Sequence, residues 1–208
     1  DSNRIAFLCL DESPVEACTL TDHISSDPKD EAFAEAVQEI VNYPRAGKPN
    51  PTVRLGIVDL ADGSRRWVDT SRYDSMEHLI VRVQWTPDND RITYQVQDRA
   101  QTWLDLNFAN AASGQSETAF RETSKAWVSV LGNPQWLADG GFLWLSERSG
   151  WKHLYRYSAD HEVVSTITSG SWEVRELYGI DEVNQVVYFS GTRDNSLHTH
   201  AYRISLDG

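Results

Sequence analysis

Twice in this chain a tryptophan precedes a polar turn and a short apolar strand: Trp85-Thr-Pro-Asp-Asn-Asp-Arg-Ile-Thr-Tyr and Trp136-Leu-Ala-Asp-Gly-Gly-Phe-Leu-Trp-Leu. The two tryptophans stand 51 positions apart (136 − 85). A weaker third copy, Leu177-Tyr-Gly-Ile-Asp-Glu-Val-Asn-Gln-Val-Val-Tyr-Phe, carries Tyr178 where the tryptophan would be. Self-similarity at about 40 to 50 residues marks propeller blades, small antiparallel sheets that cannot bury their faces alone. The expected fold is all-β: a partial β-propeller of about four antiparallel blades.

Period-two apolar alternation runs through the chain, broken by Asp-Gly, Asn-Asp and Gly-Gly turn signals. The spacing places blades at about 1–77, 78–126, 127–172 and 173–208. The first opens with a strand at Ile5–Leu10, read as a hairpin with Val15–Leu20 turning at Glu12-Ser-Pro14. An arm at 18–50 interrupts it before Val53–Leu60 and the Ala61-Asp-Gly63 turn. The second blade reads as 79–85, 91–96, 103–108 and 116–122, and the third as Val128–Trp136, Gly141–Ser146, His153–Tyr157 and Val163–Thr168. The fourth reads as Val174–Tyr178, Val186–Ser190 and His198–Ile204. Within the arm, Asp27 suits an N-cap, Pro28 the first helical position, and Asp30 and Glu31 the positive end of a helix dipole. Phe33, Val37, Ile40 and Val41 recur at helical spacing, which predicts one short helix near residues 28–39. The stretch from Glu39 to Tyr43 is equally compatible with extended chain, because Pro44 biases the residue before it away from the helical region.

The composition, 40% apolar with eight Trp and eight Tyr, supports a real core. No apolar run approaches the roughly 18 residues of a membrane span, so no membrane contact is expected from this segment. A net charge of −12 without a basic cluster disfavours nucleic acid as a partner. Cys9 and Cys18 would sit diagonally in the predicted hairpin, a poor disulfide geometry, and are expected to be free, half-buried thiols. The first residues carry no signal peptide, and both ends read as cut from a longer chain.

Four ordered motifs carry a family resemblance. Tyr43-Pro-Arg-Ala-Gly-Lys-Pro-Asn-Pro-Thr-Val53 resembles the Tyr-Pro-Lys-Ala-Gly-x-x-Asn-Pro-x-Val segment of the dipeptidyl peptidase IV family. Ser146-Glu-Arg-Ser-Gly-Trp-Lys-His-Leu-Tyr155 is similar to its Ser-Glu-x-x-Gly-Tyr/Phe-Arg-His-Leu-Tyr strand, and Thr168-Ser-Gly-Ser-Trp-Glu-Val174 to a link between its blades. Val187-Tyr-Phe-Ser-Gly-Thr-Arg-Asp194 with Leu197-His-Thr-His-Ala-Tyr202 resembles its fourth-blade motif. The resemblance implies about half of an eight-bladed propeller, from a serine peptidase whose separate α/β-hydrolase domain removes dipeptides, often X-Pro, from peptide amino termini. The propeller of that family gates and positions peptide substrates. The implied parent is an enzyme and a homodimer, in a periplasmic or secreted location ahead of a cytoplasmic one; this chain alone is not expected to be an enzyme.

No catalytic residue is nominated, because no Gly-x-Ser-x-Gly elbow is present and no local signature selects a triad. Asp11-Glu12 falls after the strand at Ile5–Leu10 and reads as a turn rather than an amino-terminus clamp. His198 and His200 share a face of one strand but lack a third ligand, so neither a metal nor another cofactor is expected. Trp172 reads as a packing anchor. By the resemblance, Leu131, Gly132 and Asn133 form a loop near the substrate, and Cys18, Phe33, Val37 and Tyr43 belong to an arm reaching a subunit interface. The competing readings are a stand-alone propeller scaffold for protein interactions and an inactive peptidase homologue. Open terminal blades are also expected to promote dimerisation or aggregation through their edges.

Overall fold

A strand whose residues are apolar on both faces needs neighbours on both faces, and the chain supplies them by stacking sheets. The computed structural model describes residues 3–22 and 37–208. Strands β1 (Arg4–Asp11), β2 (Ala17–Asp22), β3 (Val37–Asn42), β4 (Thr52–Asp59) and β5 (Arg65–Trp67) make up the first region. The second sheet is β6 (His78–Trp85), β7 (Arg91–Asp98), β8 (Trp103–Asn110) and β9 (Ser116–Thr123), hydrogen-bonded in that order. The third is β10 (Gln135–Trp136), β11 (Phe142–Ser146), β12 (His153–Tyr157) and β13 (Val163–Thr166). The fourth is β14 (Val174–Asp181), β15 (Val186–Gly191) and β16 (His200–Ser205). All pairings are antiparallel, and successive small sheets packed through apolar cores have the arrangement of propeller blades.

The repeated turn is built with one device. Asp88, Asp139 and Asp181 each accept a backbone N–H two or three residues on, from Asp90, Gly141 and Asn184. An aspartate that bonds its own turn in this way competes well with continued strand. Its carboxylate is held below the ordinary range, by Thr86 at Asp88, by the Gly141 N–H at Asp139 and by Asn184 at Asp181.

Three apolar cores alternate with the sheets. Leu55 and Ile57 of β4 meet Ile92, Tyr94 and Val96 of β7 in the first. Leu104, Leu106 and Phe108 of β8 meet Phe142, Trp144, Tyr155 and Tyr157 in the second. Leu143 and Leu154 meet Val174, Val187 and Phe189 in the third. Trp172 anchors that third core, stacked 6.1 Å from Phe189 and edge-on to His153. The neighbouring Glu173 pairs with Arg175 at 2.8 Å.

Three local expectations are corrected. First, β1 does not pair with β2. It pairs with β4 in the register Phe7↔Gly56, and β2 pairs with β3 as a separate hairpin. The Phe7 ring tip lies 2.5 Å from where a Cβ on residue 56 would stand, so in this register any other residue there would push the ring aside. Cys9 therefore faces Arg54 and Cys18 faces Val41; both are free, Cys18 half-buried but Cys9 exposed. Second, the predicted helix at 28–39 ends in strand, since 37–39 belong to β3. Val37, Ile40 and Val41 are β-branched and find a partner strand in β2, which outweighs their helical spacing. Residues 28–36, Phe33 included, lie outside the described residues. Among the described residues the one helical element is a 3-10 turn at Ser71–Tyr73. Third, 128–134 is not strand; only Gln135–Trp136 pairs with β11. Among the described residues no helix is long and apolar enough to cross a membrane.

One contact between blades titrates. His161, at φ 66 in the turn after β12, stacks on Phe108 of β8 with ring centroids 4.0 Å apart. Burial lowers its pKa from the ordinary 6.5; Glu117 and Asp160 oppose the shift and Arg91 reinforces it. Its Nε2 is buried without a hydrogen-bond partner. The unfolded chain therefore takes up this proton before the folded one does. Stability from this group is complete above pH 6.5 and declines as pH falls through the lowered folded value. Thermal melts of H161F should lose that limb of the pH profile while keeping the steeper decline at lower pH, where the turn aspartates protonate.

Candidate functional site

Blades covered on both faces have no solvent for their polar side chains, so each buried polar group needs a partner. Thr93, Gln95 and Gln97 alternate with the apolar residues of β7 and are buried beneath the chain that follows β9. Gln97 Nε2 donates to the Val128 carbonyl at 2.6 Å, and Gln95 Nε2 donates to the Gly132 carbonyl at 2.7 Å. These two side chains take the place of a neighbouring strand for 128–132, which explains why the segment is ordered but outside the ladder. Leu131, Gly132 and Asn133 thus sit at the end of a clamped loop. Leu131 lines a cavity between blades two and three; Gly132 has φ 124; Asn133 borders a shallow depression beside Leu8 and Val81.

The cavity measures about 480 Å³ and is walled by Trp127, Val128 and Leu131 on one side and Glu122, Trp144 and Arg148 on the other. Glu122, on β9, is 8% exposed. Its carboxylate accepts from Trp144 Nε1 at 3.0 Å, from Ser146 Oγ at 2.9 Å, and from Arg148 Nη2. Arg148 also donates through Nε to Ser146 Oγ at 2.9 Å and through Nη2 to the Tyr157 hydroxyl at 2.6 Å. Its guanidinium lies 4.5 Å from the centroid of the Tyr155 ring. Burial works to lower the Arg148 pKa, but the Glu122 carboxylate and the Tyr157 hydroxyl outweigh it and hold the guanidinium above its ordinary value. Burial pushes the Tyr157 hydroxyl up. The cavity wall thus carries a cation held in place by a buried carboxylate.

A histidine beside a hydroxyl lies elsewhere. His153 Nδ1 lies 3.0 Å from Thr168 Oγ1, and Nε2 lies 3.0 Å from the Gly170 carbonyl. A carbonyl only accepts, which places the proton on Nε2 and makes Nδ1 the acceptor of the threonine hydroxyl. Both residues are buried, and Nε2–H ends on a carbonyl where a triad needs a carboxylate. The pair locks β12 to the chain after β13.

The remaining sequence candidates separate. Asp11 accepts the Ser13 N–H and Glu12 the Val15 N–H, so the acidic pair is a turn. Its neighbour Glu16 binds Arg45 at 2.9 Å and Lys48 at 2.7 Å, tying the root of the β2–β3 arm. Along that arm Cys18 pairs with Val41 and Val37 with Asp22, while Ile40 and Tyr43 are exposed. His198 and His200 have ring centroids 6.1 Å apart, but only His200 lies in β16. Among the described residues no group of three His, Cys, Asp or Glu is placed to hold a metal. Sequence reasoning missed Gln95, Gln97, Glu122 and Arg148 as site residues. For Gln95 and Gln97 the available signal was a polar residue at every second position of β7; Glu122 and Arg148 carried none.

Comparison with known proteins adds the family. The model of the dipeptidyl peptidase IV (DPP IV) N-terminal region matches residues 1–208. A curated Emericella nidulans protein, named "Probable dipeptidyl peptidase 4", is 28% identical over 99% of this chain, and dipeptidyl peptidase 4 of Trichophyton equinum is 23% identical over all of it. The chain spans 28% and 27% of the length of these two relatives. The crystal structure of Porphyromonas gingivalis dipeptidyl peptidase 4 superimposes with a TM-score of 0.83 at 24% identity, covering 98% of this chain and 28% of that one.

Proposed function

The chain belongs to the dipeptidyl peptidase IV N-terminal region family, and from that membership we propose that it is the non-catalytic propeller portion of a serine exopeptidase. In this reading it gates and positions peptides whose amino-terminal dipeptides, often X-Pro, are removed by a hydrolase domain outside these residues. The observation that carries the reading is the family match over residues 1–208, joined to relatives in which the matched part is under a third of the length.

The part played by this chain is then geometric. The clamped loop holds Leu131 toward the substrate, with Gln95 and Gln97 as positioning residues. Fixing a contact in advance lowers the entropic cost of binding and improves discrimination between side chains. The arm supplies the homodimer contact in the parent: a two-stranded hairpin is marginal in water, and exposed Ile40 and Tyr43 gain cover from a partner subunit.

In the full-length protein, Leu131→Arg should lower kcat/KM about tenfold for dipeptides with a bulky apolar first residue and leave glycyl-prolyl substrates nearly unchanged, the size of one lost apolar contact. Steady-state kinetics on glycyl-, valyl- and phenylalanyl-prolyl anilides measure this. Equal losses on all three would remove the loop from substrate selection.

A further inference from the structure

The cavity between blades two and three has an unused binding capacity beyond the gating role. Arg148 has five N–H donors. Nε serves Ser146 and Nη2 serves Glu122 and Tyr157, while Nη1 meets no acceptor among the described residues. Its side chain keeps 30% exposure and borders the cavity. Lys125 lines the same cavity and has no ion-pair partner among the described residues. Trp127, two-thirds exposed at 66%, stands beside it with Val128 and Leu131, giving an apolar wall. In a chain of net charge −12, two cations with unfilled donors at one cavity are notable.

We propose that this cavity is a binding site for the C-terminal carboxylate of a short peptide with an apolar last residue. The carboxylate accepts one Nη1–H of Arg148 and the Lys125 ammonium, and the last side chain lies against Trp127 and Leu131. With Nε and Nη2 engaged, Nη1 offers the carboxylate one charge-assisted hydrogen bond, and the Lys125 ammonium offers another. Glu122 is already engaged by Arg148, Trp144 and Ser146, so it does not compete for the site. Glu147 also lines the cavity and repels an anion, so the contact depends on both cations together. The volume of about 480 Å³ falls among sites for small ligands.

The test uses the full-length protein and N-acetyl-alanyl-leucine, whose blocked amino terminus keeps it from being a dipeptidyl-peptidase substrate. Calorimetric titration should show millimolar binding of the acid and about tenfold weaker binding of the C-terminal amide, as expected when a charge-assisted contact is removed. Lys125→Ala should weaken the acid and leave the amide unchanged; Trp127→Ala should weaken both. These positions are at the surface, so the fold survives their change, and melting curves check that. No binding of the acid, equal binding of acid and amide, or indifference to both substitutions overturns the proposal. None of those results bears on peptidase activity, so failure here is separable from failure of the propeller reading.

Discussion

Phe142→Ala is expected to destabilise the fold by about 3–5 kcal/mol, the usual cost of emptying a buried phenylalanine site. Phe142 is fully buried and lies at the centre of the contact between blades two and three. Its ring stacks on Tyr157 with centroids 5.0 Å apart and planes within 2°. Trp136 meets it edge-on at 5.5 Å, and Phe108 lies at 6.4 Å. Such a site cannot collapse, because three of its walls are rigid rings on different strands. Phe142→Leu, which keeps much of the volume, should lose less than half as much. Urea melts of both variants measure the difference. Equal and small losses would mean that the blades are not held by this aromatic cluster.

The second large effect is expected at Asp105, which is 2% exposed on β8. Arg121 binds both of its oxygens, at 2.6 and 2.8 Å, and the Tyr73 hydroxyl lies 2.9 Å from Oδ2. Tyr73 comes from the 3-10 turn between the first two blades, so one carboxylate ties two strands and the link before them. Asp105→Ala removes the partner of Arg121 and leaves the Tyr73 hydroxyl with Asn107 Oδ1, 2.9 Å away, as its remaining acceptor. Breaking one side of a buried pair costs about 3–5 kcal/mol, and Arg121, half in water, brings the expectation to about 3. A second readout is specific to this contact. The Tyr73 hydroxyl is pushed up to about 12, first by burial and then through Asp105. Asp105→Asn should bring that titration down, visible as an earlier step in ultraviolet absorbance against pH. A loss of stability with the tyrosine unmoved would contradict the contact.

Much of this architecture could be read from the chain. The second blade was expected at 79–85, 91–96, 103–108 and 116–122, and each strand is found within two residues at either end. It was legible because local signals agree there: alternation, an Asx turn and a tryptophan at the strand end. The first blade was misread because its pairing is non-local. β1 closes on β4 across the inserted arm, and the decisive residue is Gly56, whose missing Cβ makes room for Phe7. The stretch 128–134 was read as strand because its pattern is strand-like. It is held instead by two glutamine side chains from β7, a contact that no local pattern announces. The loop at Leu131–Asn133 was located through family resemblance, while the Glu122–Arg148 pair that floors its cavity was not. A lone glutamate and a lone arginine in adjacent blades carry no spacing signal; only the sheet-on-sheet geometry brings them together.

The central claim, a positioning propeller whose chemistry lies elsewhere, is tested most directly by glycyl-prolyl-p-nitroanilide hydrolysis. Release of p-nitroaniline should be followed for these 208 residues alone and for the natural full-length protein that contains them. The expected result is release by the full-length protein only, abolished by a serine-directed phosphonate. Turnover by the 208 residues alone, or a folded full-length protein that releases nothing, would contradict it.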